Sequence, residues 1–181
     1  CYDNAYSEIA FGGYKAPSIL EVEGGMDVAI EFHSCSKTFN MTGDRIGFAV
    51  GNKKLVKGLT QVKKQVDSGP PLYIQKAAIK ALESYTSDEP PEHLEKSLRI
   101  YKERRDTLVK GLNSMGFKCK GPKATFYVWL NCGCDSMEFT TKLLETGVIV
   151  TPGIGFGEQG KTYVRFSLTR PKKEIEEACE R

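Results

Sequence analysis

The residues best suited to chemistry lie in one polar stretch, 33–47, which separates two apolar runs. Lys37 follows two serines, Ser34 and Ser36, and Arg45 comes eight residues after the lysine. A lysine held among strand ends can be desolvated, which would make its ammonium form costly and favour a neutral amine. Such an amine attacks a carbonyl and forms a Schiff base. An arginine and a serine hydroxyl supply the charge and the donors that a phosphate monoester needs.

Capture of an aldehyde beside a phosphate site indicates pyridoxal 5′-phosphate as a cofactor. The alternative is a surface lysine in an ordinary loop, and the spacing alone leaves both interpretations open. Arg165 is a second candidate, because it alternates with Val164 and Phe166 in an apolar strand pattern. A core-facing arginine needs an anionic partner, which favours a role in binding a substrate.

The composition is that of an ordinary globular protein. Of the 181 residues, 40% are hydrophobic and 27% are charged, which excludes wholesale disorder, and no apolar run is long enough to span a membrane. The net charge of +3 is too weak to indicate nucleic acid. The six cysteines show no scaffold spacing, and Cys132 and Cys134 lack the further ligands of a metal site. We therefore expect reduced thiols, a cytoplasmic location and no metal, membrane or nucleic-acid partner.

Apolar patterning predicts alternating strands and helices, and thus an α/β fold. Strands are expected at 28–32, 46–50, 124–130, 148–150 and 162–168, and helices at 52–66, 72–85, from about 92 to 115, from 135 to 147, and after 170. The polar, proline-containing stretch 86–92 is the best linker candidate. The expected domains are 1–88 and 89–181.

Four segments together resemble a known family. Residues 34–37, with the sequence MTGDRIG at 41–47, resemble the Schiff-base segment of class I/II aminotransferases, which are pyridoxal phosphate enzymes of fold type I. Asp3-x-x-Tyr6 resembles the segment of that family that contacts the cofactor ring. Residues 152–157 and 163–167 resemble its closing loop and its substrate-arginine strand.

The resemblance covers the whole chain but only the C-terminal half of the family. It implies the last part of the large cofactor-binding domain, with a parallel or mixed sheet, in residues 1–88. It implies the smaller C-terminal α/β domain in residues 89–181. The earlier half of the family has no counterpart in this sequence, so we expect the chain to be part of a longer polypeptide.

A finer resemblance is to the LL-diaminopimelate aminotransferases, and residues 3–11, 13–15 and 31–34 carry it. Those enzymes exchange an amino group between LL-diaminopimelate and 2-oxoglutarate on a route to lysine. Two positions depart from the pattern: Cys35 replaces the usual leucine of the subfamily, and Asp44 replaces the usual tryptophan of the wider family. The carboxylate of Asp44 next to the phosphate arginine is expected to weaken phosphate binding somewhat.

The resemblance also implies roles for the cofactor-binding residues. Lys37 would form the Schiff base with the cofactor and then move the proton between the substrate Cα and the cofactor C4′. Asp3 would pair with the pyridine nitrogen, and Tyr6 would bond to the ring oxygen O3′. Ser34 and Arg45 would hold the phosphate.

Arg165 would bind the substrate α-carboxylate through a bidentate pair. The resemblance further implies amino-acid and 2-oxo-acid substrates, and a homodimer in which Ser68 and Gly69 reach the partner's phosphate site. The amino donor would be LL-diaminopimelate or another dicarboxylic or neutral amino acid. Three alternatives remain: a C–S lyase of the same fold, an aminotransferase-like sensor domain of a transcription regulator, and an inert fragment.

Overall fold

The computed structural model describes residues 1–87 and 89–181. The chain forms two compact units, Cys1–Lys96 and Ser97–Arg181. The predicted boundary after residue 88 falls on Asp88, which lies outside the described residues, so the division into 1–88 and 89–181 stays a prediction. No helix of the described residues is both long and apolar enough to cross a membrane.

The first unit is built on a three-stranded mixed sheet in the order β1-β2-β3. Its strands are β1 (Tyr2–Asp3), β2 (Ile30–Ser34) and β3 (Gly47–Gly51), and its helices are α1 (Gly25–Val28), α2 (Cys35–Thr38), α3 (Lys53–Val66) and α4 (Leu72–Leu82). Strand β1 runs parallel to β2, whereas β3 runs antiparallel to it. The mixed sheet predicted for this part of the chain is therefore present.

The second unit carries an antiparallel sheet in the order β4-β6-β5. Helix α5 (Glu92–Ser114) spans the boundary and is followed by β4 (Tyr127–Asn131), α6 (Ser136–Glu145), β5 (Thr151–Pro152), β6 (Tyr163–Ser167) and α7 (Lys172–Glu180). Val128, Leu130 and Val164 are fully buried and form one face of this sheet. The Tyr101 ring of α5 stacks on Phe126, with the ring centroids 5.3 Å apart, and so joins the helix to the sheet.

The structure departs from the predicted elements most clearly at three places. The strand expected at 28–32 starts at Ile30, because Val28 ends α1 and is 77% exposed, and it continues to Ser34. The strand expected at 148–150 lies instead at Thr151–Pro152. The polar stretch after β2 is not a loop around the lysine, since Lys37 lies in the helical turn α2.

One fully buried carboxylate connects three segments of the first unit. Glu31 of β2 is 1% exposed. Its Oε1 accepts a hydrogen bond from Asn4 Nδ2 (2.8 Å) and lies 2.9 Å from His33 Nε2. Its Oε2 accepts from Ser18 Oγ (2.7 Å) and from the Ile19 amide (3.0 Å). Burial raises the pKa of the Glu31 carboxyl, but these donors outweigh burial and leave the pKa below its usual value.

The substitution Glu31→Gln is expected to lower the free energy of unfolding by about 2–4 kcal/mol, because the new amide group points donor hydrogens at donors. A carboxyl whose pKa is depressed in the folded state adds stability above its unfolded pKa of about 4.3. That contribution is lost as the pH falls through the lower folded-state pKa. The variant should therefore lose less stability on acidification than the parent does.

Urea unfolding of the intact protein at neutral pH and near pH 4 measures both effects. Glu83→Gln is the matched control, because Glu83 is exposed and its carboxylate pairs with Lys80 at 3.4 Å. It should change the free energy of unfolding by less than about 1 kcal/mol. If the two variants lost equal free energies of unfolding, the buried network around Glu31 would contribute no more to stability than a surface ion pair.

Candidate active site

The sheet of the first unit brings three of the predicted site residues to one edge. Asp3 ends β1, and Ser34 ends β2 and leads into α2, where Lys37 lies. Because β1 and β2 are parallel, with Asp3 opposite Phe32, their carboxyl ends lie at the same edge. Ligands of open α/β sheets bind at this edge.

Lys37 and Tyr6 come together at this edge. The Lys37 Nζ lies 5.9 Å from the centroid of the Tyr6 ring, and both side chains are half-buried. The chain after β1 turns sharply, with the Ser7 amide donating to the Asn4 carbonyl (3.2 Å) and the Ile9 amide to the Tyr6 carbonyl (3.0 Å). These turns place an aromatic ring and its phenol close to a primary amine.

The residues predicted to hold a phosphate belong to the segment that surrounds Lys37. Ser34 Oγ accepts a hydrogen bond from the Ser36 amide (3.2 Å), which caps α2 and leaves the hydroxyl proton available as a donor. The exposed Arg45 donates from Nη1 to the Thr42 carbonyl (3.0 Å). Thr42 Oγ1 in turn donates to the Ser36 carbonyl (3.0 Å), which ties the arginine turn back to α2.

Asp3 is exposed, and its Oδ1 accepts from the Ala5 amide (3.3 Å). Lys37 thus contacts Tyr6, and hydrogen bonds join Arg45 to α2 through Thr42. Asp3 and Ser34 bond to backbone amides of their own segments. Asp3, Ser34 and Lys37 share one edge because of the register between β1 and β2. The spacing of these residues in the sequence does not determine that register.

Arg165 lies in the second unit, on β6 opposite Trp129 of β4. The expectation that Arg165 faces the core is wrong: Val164 points into the core, and Arg165, as its neighbour in the strand, lies on the other face. Its guanidinium carbon is 4.2 Å from the centroid of the Tyr127 ring and 4.7 Å from that of Phe156. Its Nε is buried and has no hydrogen-bond partner.

Sequence reasoning overlooked three residues of these sites. Glu31 was treated as part of a buried apolar run, although a carboxylate in such a run was itself a signal of a buried network. Tyr127 precedes the buried Val128 in β4, so the two-residue alternation of the strand places it on the opposite face, and this alternation was a signal for it. Phe156 belongs to the glycine-rich segment, and its position over Arg165 has no signal in the sequence.

Comparison with known proteins decides the family. The model of the family "Aminotransferase class I and II" matches residues 1–181. The chain belongs to this family. It is 52% identical to LL-diaminopimelate aminotransferase 2 of Nostoc sp. and 48% identical to LL-diaminopimelate aminotransferase of Syntrophobacter fumaroxidans, with all of this chain covered in both. The matches cover 46% of each relative, so the chain spans about half their length.

Solved structures agree with the family assignment. An aminotransferase from Staphylococcus aureus matches with a TM-score of 0.89 and 39% identity, over 98% of this chain and 46% of its own. A probable N-succinyldiaminopimelate aminotransferase from Thermus thermophilus matches with a TM-score of 0.89 and 34% identity, over 98% of this chain and 47% of its own. The family depends on pyridoxal phosphate, and the predicted α/β fold of these enzymes is confirmed.

Proposed function

We propose that the protein is a pyridoxal phosphate-dependent aminotransferase that moves an amino group from an amino acid to 2-oxoglutarate. The donor is LL-diaminopimelate, or another dicarboxylic or neutral amino acid. The observation that carries this proposal is the placement of Lys37 Nζ 5.9 Å from the Tyr6 ring, at the edge where Asp3 ends its strand. The names of the relatives at 48–52% identity support the choice of donor.

The chemistry of this edge fits pyridoxal phosphate. The amine of Lys37 suits the cofactor's aldehyde, and the carboxylate of Asp3 suits a protonated pyridine nitrogen. The phenol of Tyr6 suits the ring oxygen, and the hydroxyl of Ser34 and the guanidinium of Arg45 suit the phosphate. When bound, the cofactor supplies an electron sink for the charge that develops at the substrate Cα.

In this proposal the protein's own residues perform three tasks. Asp3 keeps a proton on the pyridine nitrogen by offering it an anionic partner. Lys37 would hold the cofactor covalently, and its amine would carry the proton between the substrate Cα and the cofactor C4′. Arg165 binds the substrate α-carboxylate with two parallel N–H donors and so fixes the amino acid in one orientation.

A panel of amino donors tests this function on the intact protein. LL-diaminopimelate, glutamate, leucine and cystathionine are each mixed with the holoenzyme, and the change in cofactor absorbance is followed together with glutamate formed from 2-oxoglutarate. We expect the highest kcat/KM for LL-diaminopimelate. Release of a thiol without glutamate would indicate the C–S lyase, and binding without turnover would indicate the sensor domain.

We further propose that the protein works as a homodimer in the cytoplasm. The Ser68–Gly69 turn, held by the Gly69 amide donating to Asp67 Oδ1 (2.8 Å), is the element expected to reach the partner's phosphate site. The apolar side chains that flank this turn are exposed, with Val66 at 72% and Tyr73 at 71%. A two-fold interface would cover the same surface on both subunits.

Mixing two inactive variants tests this assembly. Lys37→Ala lacks the amine, and Ser68→Asp places a carboxylate where a phosphate is expected. If each site combines Lys37 of one subunit with the turn of the other, mixed dimers regain one complete site, and the refolded mixture should reach about 25% of parental activity. Sedimentation should show a dimer throughout. A fully active monomer, or a mixture without recovered activity, would contradict the shared site.

A further inference from the structure

We propose that Tyr127 and Phe156 act as positioning residues that hold the Arg165 guanidinium between their rings, a pair here named the aromatic clamp. The proposal rests on the proposed function of Arg165 as the carboxylate-binding residue. It assigns a role to the two rings that contact the Arg165 guanidinium. The clamp sets the orientation of the guanidinium before a carboxylate arrives and leaves its donors available for that carboxylate.

The geometry of the two rings carries the proposal. The Arg165 guanidinium carbon lies 4.2 Å from the Tyr127 centroid and 4.7 Å from the Phe156 centroid. Both distances are within the range of a cation–π contact. Tyr127 and Arg165 lie on neighbouring antiparallel strands, with Tyr127 opposite Ser167 and Trp129 opposite Arg165. Strand register therefore fixes the first ring beside the arginine.

The second ring is held by a tightly packed loop. A Cβ at Gly153 would lie 2.2 Å from the Gly160 carbonyl oxygen and 2.5 Å from that of Tyr163, and a Cβ at Gly160 would lie 2.1 Å from the Gly153 oxygen. Only glycine at both positions lets the two turns of this loop pack backbone to backbone. The rings of Trp129 and Phe156 also meet edge to face, with centroids 5.5 Å apart.

The polar surroundings of Arg165 point to an anion supplied from outside. The buried Nε has no hydrogen-bond partner, and Arg165 forms no ion pair within residues 1–87 and 89–181. Aromatic faces stabilise the positive charge without accepting its N–H hydrogens in the plane of the guanidinium. A carboxylate of the protein itself would occupy the paired N–H donors of the guanidinium, whereas the two rings leave these donors open. The clamp thus combines a fixed orientation with vacant donors, which lowers the entropy lost on binding.

A series of fluorinated phenylalanines at position 156 of the intact holoenzyme tests the clamp. Fluorine withdraws charge from the ring face and keeps the ring's shape, so folding and packing are retained while the cation–π contact weakens. Phe156 is 55% exposed, which makes the site tolerant of the substitution. The measured quantities are kcat and KM for the best amino donor, and the dissociation constant of maleate as an unreactive dicarboxylate.

We expect KM and the maleate dissociation constant to rise stepwise with fluorination, and to rise about tenfold in Phe156→Leu and in Tyr127→Leu, with kcat within about threefold of the parent. Cofactor affinity should not change. Phe139→Leu is the control, because that ring meets Phe117 edge to face at 5.9 Å and not Arg165, and the variant should leave both constants unchanged.

Each remaining outcome decides the proposal. Constants that are insensitive to fluorination, together with a loss in Phe156→Leu, would show simple packing and overturn the clamp. A loss in Arg165→Lys without any effect of the two ring variants would also overturn the clamp and leave the function of Arg165 intact. An Arg165→Lys variant that binds maleate as well as the parent would contradict the proposed function itself.

Discussion

Lys37→Ala is expected to abolish amino transfer while leaving cofactor binding measurable. Without the amine, the cofactor has no covalent link to the chain, and no base moves the proton between the substrate Cα and the cofactor C4′. Loss of a general base costs 10²–10⁴-fold, so kcat should fall about a thousandfold. Steady-state kinetics and an equilibrium titration of the cofactor measure the two effects.

Lys53→Ala is the matched control for Lys37→Ala. Lys53 begins α3 and is exposed, and it lies outside the segment 33–47 that carries Lys37. Its replacement should change kcat by less than about twofold. Parental turnover in Lys37→Ala would remove Lys37 from the mechanism.

Arg165→Lys is expected to lower kcat/KM for amino acids by about 10- to 150-fold, because lysine keeps the charge but cannot form the bidentate pair. Lysine also lacks the planar group that lies between Tyr127 and Phe156. Cofactor affinity should be little changed. Kinetics with the best donor and a cofactor titration separate the two effects.

Arg170→Lys serves as the control for Arg165→Lys. Arg170 is exposed and pairs with Glu174 one helical turn away, at 2.6 Å. Kinetic constants close to those of the parent are expected. If Arg165→Lys reduced cofactor affinity as much as substrate affinity, Arg165 would serve the fold rather than the carboxylate.

The parts of the fold that follow local patterning could be predicted from the sequence. The two-residue alternation of Val128 and Leu130 identified the buried face of β4, and both side chains are fully buried. The helix that starts in the linker region ends close to Gly116, whose φ of +92° stops it. These features depend on neighbours in the chain, so a pattern can predict them.

Features that depend on long-range contacts could not be predicted. Val28 is apolar and adjoins a buried strand, yet it ends a short helix and is exposed, because the strand is selected by pairing with β1 and β3. The face of Arg165 depends on the position of the core beneath β6. The four donors to Glu31 come from residues 4, 18, 19 and 33, which only the folded chain brings together.

The sequence pointed to the segment that carries the candidate site, but it did not give the positions of the side chains in space. The segment around Lys37 was identified from residue types and from a family resemblance, and the family is confirmed. The roles of Asp3, Tyr6, Ser34, Lys37, Arg45 and Arg165 stay predictions. Register between β1 and β2 supports the roles of Asp3 and Lys37 alone, because it brings these two residues to one edge of the sheet.

The central claim is that the cofactor is attached to Lys37, and reductive trapping tests it most directly. The intact protein with pyridoxal phosphate should absorb visible light, and borohydride should fix the cofactor to the chain. Peptide mapping by mass spectrometry then locates the modified residue. The account predicts a single adduct on Lys37 that is absent from Lys37→Ala. An adduct on another lysine, such as Lys53 or Lys76, would contradict the account.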